Sequence, residues 1–170
     1  MTTSRRDFLK KSTLAVAGGS LLSTSLFVNP PKKKLLGLQL YCVRDEMKAD
    51  PLATLKELAK IGYKYVEHAD YVDRKFYGWT PQEFKKVLKD LGMKMPSGHT
   101  VLNMSKHWDA TKKDFTDSWK YTVEDAAYME QEFVISPSMD SKVRQSREAL
   151  MHILEAFNKS GELCKKSGMK

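Results

Sequence analysis

Cysteine, long apolar runs and catalytic signatures are what this sequence has least of. Two cysteines in 170 residues, Cys42 and Cys164, cannot build a disulfide framework, and they lack the Cys-x-x-Cys spacing of a metal site. Both are expected as free thiols packed like small apolar side chains. The most apolar stretch, Ser12 to Val28, is short and interrupted by Gly and Ser, which argues against a stable membrane span. There is no phosphate-binding glycine loop, no His-Glu-x-x-His and no nucleophile elbow. Acidic residues are in the minority too, 21 Asp and Glu against 29 Lys and Arg, for a net of +8. Yet Arg5, Arg6, Lys10, Lys11 and Lys32–Lys34 face only Asp7 before residue 35, which accounts for +6 and leaves +2 for the rest. A body so near neutrality implies no basic groove for nucleic acid. Lys32–Lys34 reads as a solvated linker.

What is present begins with an address. "SRRDFLKK" precedes "STLAVAGGSLLSTSLF" and then "NPPKKK": a positive head, a modestly apolar stretch of small residues, and a polar exit. From Ser4 to Lys10 the residues resemble a twin-arginine export signal at every specified position. Residues 1–34 are therefore expected to be an export signal and linker, disordered or helical. They would be read by the twin-arginine translocase, with a periplasmic or other extracytoplasmic destination. Fold reasoning starts at residue 35.

From there one pattern repeats: an apolar run of strand length, a loop, an amphipathic helix, a glycine. The strand candidates are "LLGLQLY" (35–41), "YKYVEHA" (63–69), "MKMPSGH" (93–99) and "EFVISP" (132–137). The first helix is opened by Asp50 and Pro51 and carries Leu52, Leu55, Leu58 and Ala59 on one face. The second opens on "TPQE", a capping box, with Phe84, Val87, Leu88 and Leu91 as its buried stripe. A third runs from about Asp114 with Phe115, Trp119, Val123 and Ala126. A fourth carries Leu150, Ile153, Leu154, Phe157 and Cys164. Gly62, Gly92 and Gly168 sit at helix exits, where a left-handed residue is expected. At the third exit Glu130 or Gln131 stands where a glycine would fit, so that turn is either strained or differently shaped. Alternating strands and helices make an α/β fold with a parallel sheet. The count is four βα units, with Ser167–Lys170 as the turn toward a fifth strand.

In parallel βα architecture the chemistry gathers at the C-terminal ends of the strands. Those ends hold Gln39 and Tyr41, Glu67 and His68, Ser97 and His99, Ser136 and Pro137. Period-two alternation sets Leu36, Leu38 and Leu40 on one face and Gln39 with Tyr41 on the other. The same parity groups Tyr65 with Glu67 and Ser97 with His99, and turns His68 away. Gln39, Tyr41, Glu67 and His99 are the candidate substrate-binding residues; a structural ion pair of Glu67 with Arg44 is the alternative for that carboxylate. His107 and Trp108 fall in a long loop, a candidate lid. His152 is expected at the surface or in packing. Glu67 and His99 do not by themselves make a mononuclear metal centre.

Taken together, "LQLYxVRDE", "LxxLAxIGYKxVE", "LKxLGMKxPSxH" and "FVISPSM", over residues 36–140, resemble the xylose-isomerase-like TIM-barrel family of sugar phosphate isomerases and epimerases. Cys42, where a hydroxyl residue is common, and the missing glycine near Glu130 depart from its pattern. The resemblance implies a partial (β/α)₈ TIM barrel over residues 35–170. It implies a small-molecule sugar or sugar derivative as substrate, with His99 as a pocket histidine and Gln39, Tyr41 and Glu67 at the rim. It also implies a divalent Mn, Mg, Co or Zn ion in full-length members, held on strands five to eight, with none bound by this chain. The chain is then expected to be the truncated N-terminal half of an exported isomerase or epimerase, inactive alone, or one of two copies closing a barrel as a homodimer. A non-catalytic exported carbohydrate-binding barrel is the alternative. The DNA-repair endonuclease branch of the fold is disfavoured by the charge and the address.

Overall fold

Gly37–Gln39 form β1, the first strand of the computed structural model, which describes residues 36–139 and 141–170. The strand is shorter than its apolar run because Leu40–Val43 coil into a 3₁₀ turn, followed by the short helix α1 (Arg44–Ala49). That turn buries Leu40 completely but leaves Cys42 exposed, so only Cys164 is the packed thiol expected of both. Helix α2 (Pro51–Ile61) starts as its sequence demands, the Asp50 carboxylate accepting the Ala53 N–H at 2.9 Å. Leu55 and Leu58 are buried, whereas Leu52 lies at the surface. Strand β2 (Tyr65–His68) follows. Then comes a loop and helix α3 (Pro81–Asp90), whose capping box is made on both sides, Glu83 N–H to Thr80 Oγ1 and Thr80 N–H to Glu83 Oε2.

Strand β3 (Lys94–His99) leads to a segment that is folded rather than a lid. It comprises the single turn α4 (Met104–His107) and an antiparallel pair, β4 (Trp108–Asp109) with β5 (Asp114–Phe115). His107 and Trp108 are buried there among Phe115 and Trp119. This pair also moves the third long helix, α5 (Asp117–Tyr128), three residues beyond its expected start. Strand β6 (Phe133–Ile135) and helix α6 (Arg147–Lys166) complete the described chain. Helix α6 buries Ile153, Ala156, Ser160 and Cys164, while Leu150 and Leu154 stay exposed.

The main sheet has the order β1-β2-β3-β6, all parallel. The successive βα units are thus those of a partial TIM barrel. Two apolar clusters fill the helix side. One centres on Leu55, Val66, Phe84 and Leu88, the other on Trp119, Val123, Ile153 and Ala156. Strand β3 switches sides midway. Met93 and Met95 pack into the first cluster, yet Ser97 and His99 point to the opposite face. A register shift resolves this, since Tyr65 pairs with Lys94 but Glu67 pairs with Ser97, leaving Met95 and Pro96 as a bulge. Proline, with no N–H to give, is at home in such a bulge.

Candidate functional site

Three strands set a polar row on the face away from the helices. Gln39, Glu67 and Ser97 are register neighbours, and His99 stands two residues beyond Ser97 on the same side. Glu67 collects the donors: Ser97 Oγ at 2.5 Å and Gln39 Nε2 at 2.9 Å, with His99 Nε2 at 3.0 Å. The Gln39 amide nitrogen also lies 3.0 Å from His99 Nδ1 and 2.8 Å from Nε2. With His99 giving its Nε2–H to the carboxylate, Nδ1 is left as an acceptor facing that amide. Glu67 and His99 are about one-fifth exposed, so the pair is held in place and still reachable.

The sequence expectations divide here. Gln39, Glu67 and His99 come together. Tyr41 does not, because β1 ends two residues before it and the 3₁₀ turn carries its ring outward, where Arg44 stacks on it at 4.9 Å. Arg44 therefore does not pair with Glu67. Ser136, at the end of β6, is spent locally, accepting the Leu102 N–H and donating to Ser138 O. His68 turns to the helix side as parity requires. It is buried with Nδ1 lacking a partner, and burial, with His99 nearby, pushes its pKa down to about 3. His152 is exposed, its ring edge-on to Trp108.

A cavity of about 720 Å³ opens beside the row, with His99, Tyr71, Asn103, Lys106 and Tyr121 among its walls. The row itself faces a shallower hollow of about 250 Å³ on the sheet, and His99 is the member that reaches the larger space. One wall is braced by a network that apolar periodicity does not reveal. Asp125, buried in α5, takes two hydrogen bonds from Arg74, at 2.6 and 3.0 Å, and one from Tyr71 at 2.6 Å. Burial first, and then that bond to Asp125, raise the Tyr71 pKa, while the carboxylate raises that of Arg74. Asp73 and Arg74 take positive φ in the tight turn closed by Val72 and Lys75, and Tyr77 in the next, closed by Phe76 and Trp79. The network's one sequence signal was an aspartate within the buried stripe of a helix.

Among the described residues no group of three or more His, Cys, Asp or Glu side chains is placed to hold a metal ion. Glu67 and His99 are already engaged with each other. The described donors therefore do not fit the divalent ion that the resemblance implies.

A family model described as Xylose isomerase-like TIM barrel matches residues 55–170. Two solved structures of sugar phosphate isomerase/epimerases from Parabacteroides distasonis are similar. One is 24% identical with a TM-score of 0.68, covering 86% of this chain and 52% of its own. The other is 23% identical with a TM-score of 0.60, covering 79% and 51%. An L-ribulose 3-epimerase structure matches at 15% identity and a TM-score of 0.56, covering 79% and 47%. The chain thus spans about half the length of the solved structures it matches. No curated protein matches the sequence.

Proposed function

The chain belongs to the xylose isomerase-like TIM barrel family, and from that premise we propose that it handles a sugar or sugar phosphate as an exported isomerase- or epimerase-like protein. The observation that carries the reading is the Gln39–Glu67–Ser97–His99 row. A carboxylate that orients a histidine, flanked by an amide and a hydroxyl, suits the alternating donors and acceptors of a polyol. The histidine acceptor atom also suits proton transfer at a hydroxyl. Isomerisation next to a carbonyl requires, in the family's metal-dependent members, a divalent ion to polarise that carbonyl. We propose that its ligands are not supplied by the described residues and that this chain alone does not isomerise sugars.

Incubating the purified chain with a ketose and Mn²⁺ tests this, with no epimer expected above blank and turnover overturning it. Calorimetry with monosaccharides, with and without metal, is expected to show metal-independent binding that Glu67→Gln and His99→Ala weaken. The same row would serve a carbohydrate-binding protein without catalysis, and the two assays separate these readings. Export rests on residues that lie outside the described ones. Replacing Arg5 and Arg6 by lysine is expected to hold a reporter fusion in the cytoplasm, and unchanged export would remove the twin-arginine route. A homodimer in which two copies close one barrel remains part of the proposal, and the native mass decides it.

A further inference from the structure

Tyr41, expected beside Gln39, stands over a different cavity. It holds about 540 Å³ and is lined by Leu40, Met47, Tyr41 and Tyr77 together with Arg44, Lys48 and Asp70. Arg44 and Lys48 are one helical turn apart on α1, so their like charges face the same space. Neither forms an ion pair with a carboxylate of the described residues, Asp70 included. The guanidinium is nevertheless held in position, laid over the Tyr41 ring and tied by one N–H to Tyr41 O at 3.3 Å. Its remaining donors make no other hydrogen bond among the described residues. Tyr77 is fixed as well, its hydroxyl accepting the Ala69 N–H at 2.9 Å. Ala69 and Asp70 line both this cavity and the larger one that His99 borders.

We propose that this cavity is an oxyanion subsite, in which Arg44 and Lys48 bind the phosphate or carboxylate of a sugar-sized ligand. Two like charges on one helix face repel each other until an anion lies between them, and a fork of guanidinium N–H groups matches oxyanion geometry. Phosphate monoesters and sugar carboxylates share this chemistry, and the Asp70 carboxylate opposes both alike, so the two cations must outweigh it. The sugar body of the ligand rests on the function proposed above; the anion subsite rests on its own geometry.

The test is a titration of the full ¹⁵N-labelled chain, followed by NMR, with D-glucose 6-phosphate, D-glucuronate, inorganic phosphate and D-glucose. Both sugar anions are expected to shift the amides of Leu40–Lys48 and to bind about tenfold or more tighter than glucose. Inorganic phosphate is expected to shift the same amides more weakly. The relative affinity of the 6-phosphate and the uronate tells which source the site prefers. The double variant R44Q/K48Q is expected to lose about tenfold or more for the anions and nothing for glucose. A K56Q/K60Q control on α2 should bind as the wild type does. If the double variant fails to fold by circular dichroism, the single variants carry the same expectation at roughly threefold each. Anions that bind no better than glucose, or equally well to R44Q/K48Q, overturn the proposal. Glucose shifts at Gln39 and His99 with no gain from the anion would sink the subsite and leave the sugar reading standing. Anion shifts at Arg44 and Lys48 with no response at the row would do the reverse.

Discussion

His68 and Gly98 face each other across β2 and β3 so closely that a Cβ on the glycine would stand 1.8 Å from His68 Nε2. Such contact cannot be relaxed cheaply, because the imidazole is itself wedged against Phe76 with ring centres 4.8 Å apart. Gly98→Ala is therefore expected to cost about 3 kcal/mol of stability by urea titration. His68→Ala should recover most of that loss in the double variant, and additive losses would disprove the contact. The same burial makes stability depend on pH. His68 is held near a pKa of about 3 by burial and then by His99, and His107 near about 4 by burial and then by Lys106. Both lie below their unfolded value near 6.5, so the unfolded chain binds more protons and stability falls as pH drops from about 6.5 toward 4. Each histidine is expected to remove about 2 kcal/mol between pH 7 and 5. A His68→Phe variant should flatten part of that slope, and an unchanged slope would mean the ring is solvated. Alternation alone separated His68 from Glu67 correctly. It failed at Tyr41, because the strand stops where local coiling takes over from sheet pairing.

At the level of elements, the strands and long helices were readable because caps, apolar periods and exits agreed with one another. Asp50, Thr80 and Ser146 each cap a helix with a side-chain oxygen, and Gly62, Gly92 and Gly168 each take positive φ at a helix exit. Three features escaped. The 3₁₀ turn and the β4–β5 pair are too short for a period, and the bulge at Met95–Pro96 reverses a face without altering the apolar pattern. The exit of α5 shows what agreement is worth where one signal is missing. Glu130 takes φ 60, the conformation its three glycine counterparts adopt freely. Its carboxylate meets Lys85 at 2.9 Å, but that pair is exposed and contributes little. The backbone strain outweighs it. Glu130→Gly is expected to raise Tm by roughly 2–4 °C in a thermal melt, and a lower Tm would show the surface pair to be the larger effect.

For the molecule as a whole, the question is what the open sheet does. Strands β1 and β6 each pair on one side only among the described strands, and parallel sheets are ordinarily covered on both faces. Phe133 shares the face of its register partner Ser97 and is 45% exposed. Opposing association is Lys170, which gives its N–H to Glu132 O at 3.0 Å and lays its ammonium over the Phe133 ring. Lys64, Lys94 and Glu132 make the corresponding backbone bond at the starts of the three earlier pairings. An edge lysine is a common guard against strand addition, yet one exposed cation–π contact contributes only about 0.5–1 kcal/mol. Covering a half-exposed phenylalanine and extending the ladder on both edges would contribute several times that. Association should therefore win. Sedimentation equilibrium of the 19.5 kDa chain is expected to give a weight-average mass that rises with concentration. Phe133→Lys, adding a second charge at that edge, is expected to lower it toward the monomer without lowering Tm. A wild-type chain that stays monomeric through the high-micromolar range would mean the edges are protected, and the two-copy barrel would fall with them.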